Sequence, residues 1–281
     1  NIGPSGTVSF VDTSAANKQL GSKTLGAPVL SNAFTQAPNS PFAIGDNNVA
    51  PPGSLKPYRT VAIASAYLDG DNNLDVVTGD SDQIISVLLG HGDGTFQAKV
   101  NYPGCQQGRA MKILLSDFNR DGNADIALGC SQRLDPGVNG GVTIILGNGD
   151  GTFRTPVYYS TGDVSGLAIG DFNGDGFVDL VVADLSQKDI KLLIGNGNGS
   201  FQSPSTLMSL SKGPFDIVVA DFNRDGNDDI GYVISTSTTL SDFYVALGNG
   251  NGTFQTAQLR ASQIGEFLTV GDTNGDNKAD I

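Results

Sequence analysis

The stretch "DFNRDGNAD", residues 117–125, sets three aspartates and two asparagines into nine positions, and close copies return as "DFNGDGFVD" at 171–179, "DFNRDGNDD" at 221–229 and "DTNGDNKAD" at 272–280. A degenerate copy, "YLDGDNNLD", occupies 67–75. The five copies start 50, 54, 50 and 51 residues apart. A second motif keeps step with them: "LLGHGDGTF" ending at Phe96, "ILGNGDGTF" at Phe153, "LIGNGNGSF" at Phe201 and "ALGNGNGTF" at Phe254. Short β-branched runs lie between. The second unit reads as "AMKILLS", the acidic loop, "DIALGC", "GVTIILG", the Gly-rich turn and "TFRTPVYY", which is four strands. Four-stranded sheets recurring at roughly 40–50 residues are the pattern of propeller blades, each burying its faces against its neighbours. The expected fold is all-β: a β-propeller of four-stranded antiparallel blades, four complete and one partial.

Composition agrees with this reading. The 281 residues include 28 aspartates but one glutamate, Glu266, with one histidine, His91, and no tryptophan. Aspartate and asparagine suit turns and glutamate suits helices, so helices should be nearly absent. A net charge of −13 repels phosphate backbones. No apolar run reaches the roughly 18–20 residues that span a bilayer. Nucleic acid and membrane insertion are therefore disfavoured, and cations favoured. The "GNGDG" turns are followed by strands rather than helices, so they read as hairpin turns, not phosphate cradles. If 117–125 joins two antiparallel strands, Cys105 and Cys130 fall on the same side of the hairpin. A disulfide is then geometrically reasonable, the alternative being two buried thiols.

Alternate residues of a tightly curling loop can turn toward one centre, with glycine at the sixth position allowing the bend. Positions 1, 3, 5 and 9 are Asp117, Asn119, Asp121 and Asp125 in the second loop. They are Asp171, Asn173, Asp175 and Asp179 in the third, Asp221, Asn223, Asp225 and Asp229 in the fourth, and Asp272, Asn274, Asp276 and Asp280 in the fifth. Position 7 would add a backbone carbonyl, from Asn123, Phe177, Asn227 or Lys278. The first loop keeps Asp69, Asp71 and Asp75 but has Tyr67 at position 1 and Asn72 at position 6, so it is expected to be the weakest site. So many carboxylates in one turn repel unless a cation sits among them. An all-oxygen set without His or Cys suits Ca²⁺, up to five in the chain, over zinc or magnesium. The alternative is a cluster of Asx turns held by local hydrogen bonds with no metal.

The doublet "DFNGDGFVDLVV" plus "LLIGNGNGSF" resembles the FG-GAP and VCBS repeat families, best known from the propeller heads of integrin α-subunits. The resemblance implies calcium in the loop between the first two strands of a blade, an extracellular (secreted or cell-surface) location, and partners that are proteins or glycans at a cell surface. Copies of the chain itself, in a tandem or polymeric assembly, are the other expected partner. Residues 58–281 are expected to form the blades. Residues 1–30, through "SGTVSFVDTSAANKQLGSKTLG", resemble a bacterial Ig-like strand pair, with a linker as the alternative, and 31–57 read as a ring-closing strand and connection. With its acids committed to loops and a lone histidine in a turn, the chain is expected to be a non-catalytic adhesion, recognition or surface-building module. The alternative is the propeller platform of a secreted carbohydrate-active enzyme or a lectin.

Overall fold

A computed structural model describes residues 7–12, 18–24, 60–80, 83–132, 140–236, 240–276 and 278–281. The chain divides into two compact units, Asn1–Phe42 and Ala43–Ile281. In the first, β1 (Thr7–Asp12) pairs antiparallel with β2 (Lys18–Thr24) through a register shift between Phe10 and Val11. The expected ring-closing segment 31–57 lies outside the described residues.

In the second unit the described strands form four antiparallel sheets of four, each in simple chain order. They are the blades of a β-propeller. The first blade comprises β3 (Thr60–Ala66), β4 (Asp75–Asp80), β5 (Ile84–Leu88) and β6 (Val100–Pro103). The second comprises β7 (Arg109–Ser116), β8 (Asp125–Ser131), β9 (Gly141–Ile145) and β10 (Val157–Tyr159). The third comprises β11 (Val164–Gly170), β12 (Asp179–Asp184), β13 (Asp189–Leu193) and β14 (Ser205–Ser209). The fourth comprises β15 (Pro214–Ala220), β16 (Asp229–Ser235), β17 (Ser241–Ala246) and β18 (Gln258–Ile264). No described residue is helical.

Hydrophobic burial explains the stacking. Middle strands such as β8 and β12 are buried along their whole length, because each face meets another blade. Along β8, Ile126, Leu128 and Cys130 join the core shared with the first blade, while Ala127 joins the one shared with the third. First strands of successive blades run side by side. Lys112 of β7 reaches Asp216 of β15 at 2.9 Å, and Asp216, 1% exposed, also accepts the Leu268 amide at 3.0 Å. Last strands are mostly exposed edges. One expectation is corrected here: "TFRTPVYY" is not one strand. Phe153 makes only an isolated bridge to Gly147, and β10 begins at Val157, after Pro156, which has no amide to donate to a ladder.

Cys105 and Cys130 form a disulfide with Cα atoms 5.7 Å apart. It ties the connection entering the second blade to the end of β8, inside the core between the first two blades.

Candidate metal centres

The first four acidic loops each join the first strand of a blade to the second, so they share one end of their sheets with the Gly-rich turns, while the fifth is closed by an isolated bridge between Gly271 and Asp280. Left-handed backbone makes the curl. Position 4 is positive in every loop: Gly70 (φ 76°), Arg120 (62°), Gly174 (72°), Arg224 (64°) and Gly275 (79°). Position 6 is positive at Asn72 (64°), Gly122 (85°), Gly176 (78°) and Gly226 (88°), so asparagine does take the glycine's place in the first loop. Asn277, its counterpart in the fifth, lies outside the described residues.

With the backbone so bent, loop amides point at the loop's own side chains. Asp117 accepts N–H bonds from Asp121 (3.1 Å) and Gly122 (2.8 Å), Asp171 from Asp175 (3.2 Å) and Gly176 (2.9 Å), and Asp221 from Asp225 (3.1 Å) and Gly226 (2.9 Å). Asn119, Asn173 and Asn223 each accept the position-5 amide and donate their side-chain NH₂ to the position-5 carboxylate. Asp121, Asp175, Asp225 and Asp276 in turn accept the amides of Asn123, Phe177, Asn227 and Lys278. In the fifth loop Asp272 and Asn274 accept from Asp276 in the same way. These bonds tie the side chains of positions 1, 3 and 5 to the same turn of backbone, and a carboxylate oxygen that accepts one amide keeps a lone pair to spare.

Position 9 does something the sequence did not disclose. Asp75, Asp125, Asp179 and Asp229 are fully buried. One oxygen of each accepts the position-2 amide, of Leu68 (2.7 Å), Phe118 (2.9 Å), Phe172 (3.0 Å) or Phe222 (2.9 Å). The other accepts the first glycine amide of the paired turn: Gly90 (2.7 Å), Gly147 (2.8 Å), Gly195 (2.8 Å) or Gly248 (2.7 Å). This carboxylate therefore fastens the two repeated motifs of a blade together. The glycine is required, since a Cβ at Gly195 would collide with the Val178 carbonyl oxygen. Asp280 of the fifth loop accepts the Thr273 amide and hydroxyl.

Burial raises Asp179 to about 6, and Asp175 and Asp171 add to the shift against the lowering effect of its two amide donors. Asp125 and Asp229 are raised for the same reasons. Asp225 is held below the ordinary carboxylate range by the Asn223 NH₂ and the Asn227 amide. Counter-charge from the protein is sparse. Arg154 meets Asp121 at 3.4 Å and Lys278 meets Asp276 at 2.9 Å, both near solvent. Among the described residues no Lys or Arg ion-pairs with the third or fourth loop. Among the described residues, the three carboxylates able to bring oxygens within 4.8 Å of one another are Asp69, Asp71 and Asp75, in the loop expected to be the weakest.

Successive loops also touch. Arg120 donates to the Gly176 carbonyl at 2.6 Å and lies 4.7 Å above the Phe177 ring, while Arg224 donates to the Asp276 carbonyl at 3.2 Å. Asp228 accepts the Asp171 amide at 2.7 Å. The Gly151, Gly199 and Gly252 amides donate to the carbonyls of Leu68, Phe118 and Phe172 in the preceding blade. None of these cross-blade contacts was foreseen; the only sequence trace is that position 4 alternates between Gly and Arg.

Sheets, loops and turns together define a β-propeller built from tandem blades with paired acidic and Gly-rich motifs. The family model described as "FG-GAP-like repeat" matches residues 67–128, 134–182 and 171–232, more than half of the chain, and the chain belongs to that family. No curated protein matches its sequence. Among solved structures, a lectin of Agrocybe aegerita, titled for specific recognition of non-reducing terminal N-acetylglucosamine, is similar over 74% of this chain and 67% of its own, at 18% identity and a TM-score of 0.36.

Proposed function

We propose that the chain is a calcium-stabilised, non-catalytic propeller module of an extracellular recognition or surface-building protein. The observation that carries this reading is the third loop and its repeat in the fourth: three carboxylates and an amide on one hydrogen-bonded loop, one carboxylate fully buried, and among the described residues no Lys or Arg ion-paired to those carboxylates. Such an arrangement is costly by itself and favourable around a cation. The donor set fits Ca²⁺: oxygen only, several carboxylates with lone pairs to spare, on a loop of unstrict geometry. Asp171, Asn173, Asp175 and Asp179, with the Phe177 carbonyl, would hold it in the third loop, and the same positions in the second, fourth and fifth. Asp69, Asp71 and Asp75 would hold it in the first. Bound calcium would supply charge neutralisation and a cross-link within each loop.

The Cys105–Cys130 disulfide supports an oxidising, extracellular setting. Alternate amides already satisfy much of each loop, so the competing reading of hydrogen-bonded turns without metal makes a definite counter-prediction. Metal analysis of protein purified without chelator, followed by equilibrium dialysis against Ca²⁺ and Mg²⁺, separates them. The expected result is several Ca²⁺ per chain, not displaced by millimolar Mg²⁺, and about one fewer in Asp175→Asn with Asp179→Asn. A metal-free protein that takes up no Ca²⁺ would leave only the turn reading.

A further inference from the structure

Among the three junctions between the described blades, two are closed on the outside by the same plug and one lacks it. Six residues after the turn phenylalanine, the last strand presents Tyr102 in the first blade and Tyr159 in the second. Tyr102 packs edge-on against Phe153 of the next blade at 5.3 Å. Tyr159 packs against Phe201 at 5.9 Å, and its hydroxyl accepts the Phe201 amide at 2.9 Å. The same position in the third blade is Leu207. Among the described residues Phe254 of the fourth blade has only Phe172 as its ring partner, at 5.7 Å. A cleft of about 390 Å³ opens where the missing ring would sit.

A second departure coincides with the first. The cross-strand pairs Thr78 with Ser86, Leu128 with Thr143 and Val182 with Lys191 become Tyr232 with Tyr244 in the fourth blade. The two rings stack, centroids 5.6 Å apart and planes 12° from parallel, and line the cleft with Met208, Phe254, Gln255 and Thr256. Tyr232 is 3% exposed, yet neither tyrosine hydroxyl has a hydrogen-bond partner among the described residues. Burial raises the Tyr232 phenol to about 12, which keeps it a neutral donor. No charged side chain lines the cleft.

We propose that this cleft between the third and fourth blades binds a neutral pyranose ring of a glycan. The proposal rests on the recognition reading above, whose ligand class it names, and is independent of calcium. A charged ligand would find no counter-charge there. A wholly apolar one, by filling the cleft, would cover the Tyr232 hydroxyl without offering it a partner, at a cost comparable to a lost hydrogen bond. A pyranose has a C–H face for the aromatic wall and a hydroxyl rim for Tyr232, Tyr244, Gln255 and Thr256. The volume falls in the range of roughly 300–1,000 Å³ usual for small-molecule sites.

The test is a panel of neutral methyl pyranosides, N-acetylated hexosamines included, titrated into the full chain and followed by saturation-transfer NMR and by tyrosine emission, which no tryptophan masks. At least one member should bind with Kd on the order of 1 mM or tighter. Leu207→Tyr, which restores the plug of the other junctions, and Tyr244→Ser, which installs the residue of the first blade, should each weaken it about tenfold or more with melting showing a folded protein. If no panel member binds, the proposal is overturned while the cation reading stands or falls on its own dialysis. Binding undiminished in both folded variants overturns the cleft but leaves a recognition module whose site lies elsewhere.

Discussion

Asp179 shows how one residue can hold two roles in conflict. As an acceptor of the Phe172 and Gly195 amides it must be buried, and as a neighbour of Asp171 and Asp175 it is penalised for carrying charge there. Its pKa of about 6 lies above the ordinary value of 3.8, so the folded state holds the proton more tightly than the unfolded state. The stability this group contributes is complete below pH 4 and is lost as pH rises through about 6. Chelated protein should therefore show a melting temperature that declines across that window, added Ca²⁺ should flatten the decline, and Asp179→Asn should lose this part of it. Circular-dichroism melts at half-unit pH steps measure it. A flat chelated profile would mean the carboxylate is not under strain.

At the scale of elements, each loop is braced by the next blade. Arg120 combines a carbonyl hydrogen bond and a contact over the Phe177 ring with a left-handed backbone that a β-carbon disfavours. Arg120→Ala should cost about 1 kcal/mol from the lost contacts. Arg120→Gly should recover part of it by relieving the backbone, since Gly174 occupies this position in the third loop. Urea midpoints should rank wild type, then Gly, then Ala; Ala equal to wild type would show that the bridge contributes nothing. The strands and both loop motifs were legible in the sequence because β-branched runs and Asn-Gly pairs act locally. Arg120 was not, because an arginine in a polar loop looks like solvated filler until a neighbouring blade is placed beside it. The Asp-to-glycine tie was hidden for a related reason: Asp75 precedes Gly90 by 15 residues, but Asp125 precedes Gly147 by 22, so no fixed spacing announces it. The overlong fourth strand erred through propensity alone, which does not register where a ladder has no partner.

For the whole molecule, positions 1, 3, 5 and 9 of the five loops concentrate 15 of the 29 acidic side chains, and five bound Ca²⁺ would bring the net charge from −13 to about −3. The disulfide adds a covalent tie across 25 residues at the junction of the first two blades. Replacing Cys105 and Cys130 together by Ser and Ala should lower stability in urea by about 3 kcal/mol, and an unchanged midpoint would show that the junction is held by packing alone. Blade architecture was readable because the repeat averages over local noise. The vacant plug at Leu207 was not, because a leucine in a last strand is ordinary until its counterparts Tyr102 and Tyr159 are seen filling the same gap. The most direct measurement of the account is thermal unfolding of one preparation before and after exhaustive chelation, with Ca²⁺ restored afterwards. The account predicts a drop of about 10 °C or more on chelation, as expected when ligands that bind only the folded state are withdrawn, and full recovery on adding Ca²⁺ but not Mg²⁺. A melting temperature unmoved by either step would contradict it.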